Sequence, residues 1–262
     1  MQRLFYYLKV WWLMSKNSFL MVLAQRLGLV IFLTGKLLRF GFFMFFLIFL
    51  VKGTNTLAGY NLNQTMFFFL TFNLVDVLAQ FFFREVYRFR PQVVSGSFDL
   101  ILTKPVNALF RSLMGGADVI DFITIPPLIF AVYWVGKALD PSSIEVVLYI
   151  LLLANGLIIV TAFHIAVIAF GIVTLEIDHT IMIYRDLVAL GRFPVDIYRE
   201  PLRGVLTYFI PVAIMVSLPA KALIGVATPL GVAASFVIGV VAFVVALKFW
   251  NFALKYYTSA SS

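Results

Sequence analysis

Residues 144–173 read IEVVLYILLLANGLIIVTAFHIAVIAFGIV, and this stretch decides the fold. Glu145 is the only residue in it with a charged side chain. A helix needs about 20 consecutive apolar residues to cross the hydrocarbon core of a bilayer. The stretch therefore predicts a helix that spans a membrane.

The composition of the whole chain agrees with this stretch. Of the 262 residues 63% are hydrophobic and 12% are charged, whereas a soluble domain has about 45–50% and about 25%. A soluble enzyme, a disordered tail and a coiled coil are thereby excluded. The chain has no cysteine, which excludes a disulfide framework, thiolate metal sites and a cysteine nucleophile.

Five more apolar stretches accompany the first one. They are residues 37–51, 60–83, 114–135, 202–220 and 231–250. Arg26, Lys36 and Arg39 blur the start of the first span, so we place a slanted lead-in at residues 24–36. We predict an all-α integral membrane protein in which residues 1–262 form one transmembrane domain of six helices.

Two further segments lie outside these spans. Residues 1–18 place aromatic and aliphatic side chains on one helical stripe with lysines at its edge, which predicts an amphipathic helix in the membrane interface. Residues 219–231, PAKALIGVATPLG, are too apolar for an ordinary loop and too short to cross. They predict a re-entrant segment between the fifth and sixth spans.

Prolines and small residues mark special positions within the spans. Pro126 and Pro127 should kink or split the third span, because proline removes a backbone donor. Pro211 and Pro219 should break the fifth. A row of small residues lets two helix backbones approach closely, either within the chain or at a seam between two chains. Such a row, spaced by four, consists of Gly231, Ser235 and Gly239.

The distribution of Lys and Arg predicts the orientation. With a cytoplasmic N-terminus, 14 of the 20 basic residues lie in inside segments and three in outside loops. This bias over short loops is the positive-inside pattern. Both termini should then be cytoplasmic, in the cell's inner membrane, with residues 84–112 and 174–203 as cytoplasmic loops. The net charge of +8 is explained without nucleic acid.

No sequence motif indicates catalysis. The chain has no G-x-x-x-x-G-K-[ST], G-x-S-x-G or H-E-x-x-H pattern. Glu176, Asp178 and His179 form a local cluster, which we interpret as a solvated membrane boundary and not as a metal site. No catalytic residue and no metal ligand is predicted.

Four ionisable residues fall inside the predicted spans. They are Asp76, Asp118, Asp121 and His164. Ionisable groups at membrane depth are costly and indicate function by default. A proton relay through them would make the protein an ion-coupled secondary carrier, and this alternative stays open.

The loop at residues 84–112 contains a short predicted helix at residues 97–103, which Pro105 ends. Ser97 can cap this helix, and Asp99 complements its positive end. Phe98, Ile101 and Leu102 would present an apolar face. Lipid or a partner protein must cover such a face.

Three motifs resemble those of a known family. Residues 96–107, GSFDLILTKPVN, resemble the cytoplasmic G-x-L-D-x-x-L-x-x-P-x-N segment of type-two ATP-binding-cassette (ABC) exporter permeases, in the short six-span subfamily of multidrug or viologen exporters. Residues 192–198, RFPVDIY, resemble its R-x-P-x-x-I-Y segment, and residues 208–213, YFIPVA, its Y-x-x-P-V-A segment. Phe98 stands where the family usually has Leu.

The resemblance implies a permease that exports a hydrophobic or amphipathic solute. Two separate ABC ATPase subunits would bind ATP and Mg, so this chain would hold no cofactor. Residues 96–105 would form a coupling helix, which docks into a cleft of the ATPase. Phe98, Ile101 and Leu102 would be its apolar anchors, and Asp99, Lys104 and Pro105 would lie beside them. A second permease chain, identical or homologous, would complete the pathway in the lipid bilayer. The spans would rock at Pro126, Pro127, Pro211 and Pro219.

Overall fold

The computed structural model describes residues 2–174 and 177–258. Within these ranges the regular structure is helical throughout, apart from one isolated bridge between Leu57 and Tyr60. The prediction of an all-α membrane protein is confirmed. The helices are α1 (Gln2–Ala24), α2 (Arg26–Thr54), α3 (Leu62–Phe83), α4 (Phe89–Val94), α5 (Ser97–Leu102), α6 (Ala108–Leu113), α7 (Val119–Lys137), α8 (Ser143–Thr174), α9 (Ile177–Ala189), α10 (Leu202–Phe209), α11 (Ala213–Leu223) and α12 (Pro229–Lys255).

Five of the described helices are long and apolar enough to cross a membrane, namely α2, α3, α7, α8 and α12. They match five of the six predicted spans. Helix α7 begins later than predicted because Asp118 caps it, its Oδ1 accepting from the N–H of Ile120 at 2.8 Å. Helix α2 begins earlier, at Arg26, and continues without a break through Lys36 and Arg39, so the predicted lead-in at residues 24–36 and the first span largely form one helix.

The ends of the bundle are defined by the turns between these helices. We call the end that holds residues 84–112 the loop end. The opposite end, with the turns before α3, after α7 and before α12, is the far end. Helix α3 has 22 residues and joins the two ends over roughly 33 Å.

Helix α9 and the residues that follow it, to Asp196, lead from the loop end to the far end. Asp178, in its first turn, pairs with Arg90 at 3.6 Å, just beyond the loop end of α3. Asp196 accepts a hydrogen bond from Tyr60 Oη at 3.0 Å, just before the far end of α3. The chain therefore climbs the length of α3 between these residues. Residues 177–203 are therefore not confined to one end of the bundle, as the predicted loop at residues 174–203 would be; residues 175–176 lie outside the described part.

Helices α10 and α11 form a pair that is bent by 76°, which we call the hairpin. Arg203 at its start and Lys221 near its end both pair with Asp196, at 3.2 and 2.7 Å. The hairpin, Leu202–Leu223, covers the predicted fifth span and the first part of the predicted re-entrant segment at residues 219–231. With the hairpin counted as one broken span the structure has six candidate spans among the described residues, and without it five.

The prolines behave differently from one another. Pro211 lies at the break between α10 and α11, as predicted. Pro219 lies in the first turn of the α-helical stretch Leu218–Leu223 and does not break it, since a first-turn N–H needs no helical acceptor. Helix α7 continues through Pro126 and Pro127, so they do not split it, and the predicted kink stays a prediction. Both prolines are exposed, whereas Asp121, Thr124 and Leu128 on the inner face are buried.

Helix α1 lies along the loop end. Trp11 contacts Phe82 with ring centroids 5.9 Å apart, and Ser15 Oγ accepts from the N–H of Ala117 at 3.1 Å. The helix continues to Ala24, six residues beyond the predicted range of 1–18. Its whole length stays at one end of the bundle, which is where an interfacial helix would lie.

Helices α8 and α12 pack closely around one polar side chain. Asn155 Nδ2 donates to the carbonyl oxygen of Ser235 at 2.9 Å, and the Asn155 amide fills the space beside Gly239. Gly231 instead donates its N–H to Thr228 Oγ1 at 3.2 Å, as part of the α12 cap. Ser235 and Gly239 thus pack within the chain, which was one of the two predicted alternatives.

Candidate functional site

The predicted coupling helix is present as α5. Gly96 precedes it with φ +73°, a left-handed conformation that glycine adopts at little cost. This residue turns the chain sharply between α4 and α5. Ser97 does not cap the helix as predicted. Gly96 occupies the N-cap position, and the Ser97 hydroxyl bonds instead to the Ser95 hydroxyl at 2.8 Å.

The inner face of α5 is buried in the protein. Phe98 is 0% exposed, and its ring contacts Phe89, Tyr257 and Trp250 at centroid distances of 5.0, 5.1 and 6.4 Å. Ile101, one turn later on the same face, is also buried. The prediction that these two residues present an exposed apolar face is wrong. Their spacing of three instead places both on the buried side of α5, where Phe98 contacts Trp250 of α12 and Tyr257 after it.

The exposed residues of α5 and of the turn after it are free to meet a partner. Leu100, on the side opposite Phe98, is 64% exposed, and Leu102, at the end of the helix, is 40% exposed. Lys104 and Pro105, beyond the helix, are also exposed. We call these four residues the α5 rim. The sequence prediction missed Leu100, although a helical wheel places it opposite Phe98 and so away from any face that buries Phe98.

A polar contact reinforces the attachment of α5. Tyr257 Oη donates to Asp99 Oδ1 at 2.8 Å. Burial, together with the hydrogen bond and the negative charge of Asp99, raises the pKa of Tyr257 to about 12. Tyr257 therefore stays a neutral donor throughout the physiological range, and Asp99 is engaged within the chain instead of forming part of the rim.

The rest of the loop is held to α3 and α7 by charged contacts. Arg111 pairs with Glu85 at 3.0 Å, and Gln92 Nε2 donates to the same carboxylate oxygen at 2.7 Å. Arg84 pairs with Asp118 at 3.3 Å. Residues 84–112 are thus a folded unit at the loop end, fixed at several points, and not a loose loop.

The far end has a polar junction of its own. Asp196 joins α3, the hairpin and the chain that follows α9, through Tyr60, Arg203 and Lys221. Burial acts to raise the pKa of Asp196, but the hydrogen bonds and charges of Lys221, Tyr60 and Arg203 outweigh burial, so that the pKa is lowered. Asp196 therefore remains ionised and holds the two arms of the hairpin together.

The four ionisable residues predicted inside spans each have a partner within the chain. Asp121 pairs with Lys36, and Asp118 with Arg84. Asp76 accepts from Gln80 Nε2 at 2.8 Å, and His164 Nδ1 lies 2.8 Å from the carbonyl oxygen of Val160. These separate pairings do not form a continuous relay among the four residues.

The predicted boundary cluster is only partly described. Glu176 lies outside the described residues, while Asp178 is engaged with Arg90 and His179 has interactions of its own. Among residues 2–174 and 177–258, no three His, Cys, Asp or Glu side chains form a group that could hold a metal ion.

A comparison with known protein families supplies the remaining observation. A family model described as "ABC-2 family transporter protein" matches residues 37–261, which is most of the chain. The match includes α3 to α12 and most of α2. Neither a curated protein nor a solved structure matches the chain.

Proposed function

The chain belongs to the ABC-2 transporter family, and from this premise we propose that it is the permease of an ATP-driven exporter. As an ABC transporter permease it is a transport component of the membrane. In our proposal it moves a hydrophobic or amphipathic solute out of the cell. Two separate ATPase subunits hydrolyse the ATP, and a second permease chain, identical or homologous, completes the pathway.

The attachment of α5 is the observation that carries the proposal. Its inner face is fixed to the end of α12 by Phe98, Asp99 and Tyr257, whereas its rim has no cover within the described chain. A force on the rim would therefore move α12 instead of bending a flexible loop. A docking element needs both properties, a free outer face and a rigid connection to the spans.

The ATPase contact is assigned to the rim. Leu100 and Leu102 are the apolar anchors, because they are the large apolar side chains that α5 exposes. Lys104 supplies a positive charge at the edge. Protein interfaces usually have apolar residues at their centre and polar or charged residues at their periphery.

The orientation follows from the corrected path of α9. Arg199 and Arg203, which the sequence analysis counted in an inside segment, lie at the far end. Arg185 and Arg192 lie between the two ends. Eleven basic residues, with Arg26 at the start of α2 included, then lie at the loop end and five at the far end. The positive-inside rule still favours a cytoplasmic loop end, with both termini cytoplasmic and the chain in the inner membrane.

The test is co-purification in a mild detergent. The chain should bring down a soluble ATPase that contains a G-x-x-x-x-G-K-[ST] motif. Leu100→Asp and Leu102→Asp should release this ATPase, because each places a charge in the centre of the contact. Val226→Asp is the matched control, since Val226 is 50% exposed but lies at the far end.

Two outcomes would contradict the proposal. One is a chain that purifies alone and still transports in vesicles without nucleotide. The other is an ATPase that stays bound to both rim variants, or that is released equally by the Val226 variant. Size-exclusion profiles matching the unmodified chain would show that the rim variants are folded.

A further inference from the structure

A cavity of about 160 Å³ lies between α2, α3 and α7. A single water needs about 10–15 Å³ by the same measure, so the cavity has room for a group of several atoms. Its lining combines aromatic rings with charged side chains. Those that matter for the argument are Arg39, Phe40, Phe43, Phe69, Asp76 and Arg192.

Positive charge exceeds negative charge around this cavity. Lys36, Arg39 and Arg192 line it, together with one carboxylate, Asp76. Lys36 is already engaged by Asp121, which lies outside the lining, and by Thr124 Oγ1 at 3.0 Å. Among the described residues, three cations and one carboxylate thus line the cavity.

Two of these three cations, Arg39 and Arg192, form no ion pair among the described residues. The Arg192 guanidinium lies 5.7 Å from the ring centroids of both Phe43 and Phe72, so its neighbours are mainly aromatic. An arginine in such surroundings gains much from an added anion, because a charge away from water is costly until it is paired.

The cavity opens toward the surroundings of the chain. Leu37, which lines it, is 55% exposed, and Arg39 is also exposed. The outer face of α2 continues from this opening as a run of exposed aromatic rings, with Phe42 70%, Phe45 64% and Phe49 76% exposed. A ligand at the opening therefore meets cations inside the cavity and a lipid-like surface beside it.

We propose that this cavity binds the anionic headgroup of an amphiphile. Arg39 and Arg192 hold its phosphate or carboxylate, and its hydrocarbon tail lies along Phe40, Phe43 and the outer face of α2. The inference rests on the proposed function, because it names anionic amphiphiles as the class of solute that the permease handles. The headgroup can come from a free amphiphile or from a bilayer phospholipid.

The experiment measures binding to the purified chain by native mass spectrometry. The probes are dodecyl phosphate, phosphatidylglycerol, phosphatidylcholine with the same acyl chains, and inorganic phosphate. The two anionic amphiphiles should bind at least about ten times more tightly than phosphatidylcholine, because the quaternary ammonium of choline offsets the phosphate charge and is repelled by the two arginines. Inorganic phosphate should bind weakly because it lacks a tail.

The variant Arg39→Gln/Arg192→Gln should lower the affinity for the anionic amphiphiles at least about tenfold. Lys52→Gln is the control, because Lys52 is an exposed cation on the same helix but lies outside the cavity. Arg39→Lys keeps the charge and should retain part of the binding, which separates loss of charge from loss of fold. Binding of dodecyl phosphate supports a free amphiphile as the source, and binding of phosphatidylglycerol alone supports a bilayer lipid.

The inference is overturned if phosphatidylcholine binds as tightly as phosphatidylglycerol, or if the double variant and Lys52→Gln bind alike. Because the assay needs no ATPase, its result does not depend on whether the proposed function is correct. Loss of binding with the ATPase still co-purifying would overturn the inference alone. Intact binding in a chain that recruits no ATPase would overturn the proposed function alone.

Discussion

At the scale of single residues, Phe98 decides whether α5 stays attached to the bundle. Its ring is enclosed by Phe89, Trp250 and Tyr257, so Phe98→Ala should cost about 3–5 kcal/mol of stability. Phe98→Leu should cost less than half as much, because Leu keeps most of the buried apolar area. Thermal unfolding in detergent measures both. Equal losses for the two variants would mean that the pocket around the ring is not what holds α5.

Gly239 and Asn155 should behave as a coupled pair. A Cβ at position 239 would collide with the Asn155 amide, so Gly239→Ala should cost about 1–3 kcal/mol. Asn155→Ala in the same chain should recover much of this loss, because it removes the atoms that collide. Gly41→Ala is the control, since an added Cβ there meets nothing within 4 Å. Additive effects in the double variant, again from thermal unfolding, would contradict this packing.

Residue patterns predicted part of these contacts. The four-residue spacing of Gly231, Ser235 and Gly239 predicted a close helix approach, and it occurs at the last two positions. It did not identify Asn155 as the partner, because a single polar residue in an apolar run has no periodic signal. The apolar character of Phe98 and Ile101 likewise identified a face of α5, but composition alone does not show on which side that face is covered.

At the scale of elements, α9 and the hairpin show what hydropathy alone does not predict. Helix α9 has 13 residues and includes Asp178, Arg185 and Asp186, so neither its length nor its hydropathy indicates that the chain leaves the loop end there. Residues 202–220 are long and apolar enough to span, but a bend of 76° near Pro211 divides them into two short helices. Pro211 was the sequence signal for this break, because hydropathy averages over residues and does not record a change of direction.

The path of α9 can be tested by cysteine labelling. The chain has no cysteine, so single cysteines report one position each. With intact cells, a membrane-impermeant maleimide should label Arg199→Cys and Val226→Cys, because both positions follow the climb to the far end and are exposed. Ser95→Cys, exposed at the loop end, should react only after the cells are opened. If Arg199→Cys reacted only after the cells were opened, as Ser95→Cys should, position 199 would be cytoplasmic. The segment from α9 to Arg199 would then not cross the membrane.

At the scale of the whole molecule, α12 connects the two ends. Its loop end holds Phe98 through Trp250, its middle packs on α8 through Asn155, and its far end follows the turn that leaves α11. Movement of α5 should therefore reach the far end. In the purified complex, ATP should change the labelling rate of Val226→Cys. Phe98→Ala should keep the ATPase bound, because the rim is unchanged, but should reduce this ATP-dependent change by roughly half or more, since weakened packing transmits less coupling.

The rim variants supply the contrast that makes this prediction specific. Leu100→Asp should abolish the ATP-dependent change by releasing the ATPase, whereas Phe98→Ala should weaken it with the complex intact. The two variants therefore separate docking from transmission, which are assigned to opposite faces of one six-residue helix. An unchanged response in a folded, ATPase-bound Phe98→Ala chain would show that the force does not pass through α12.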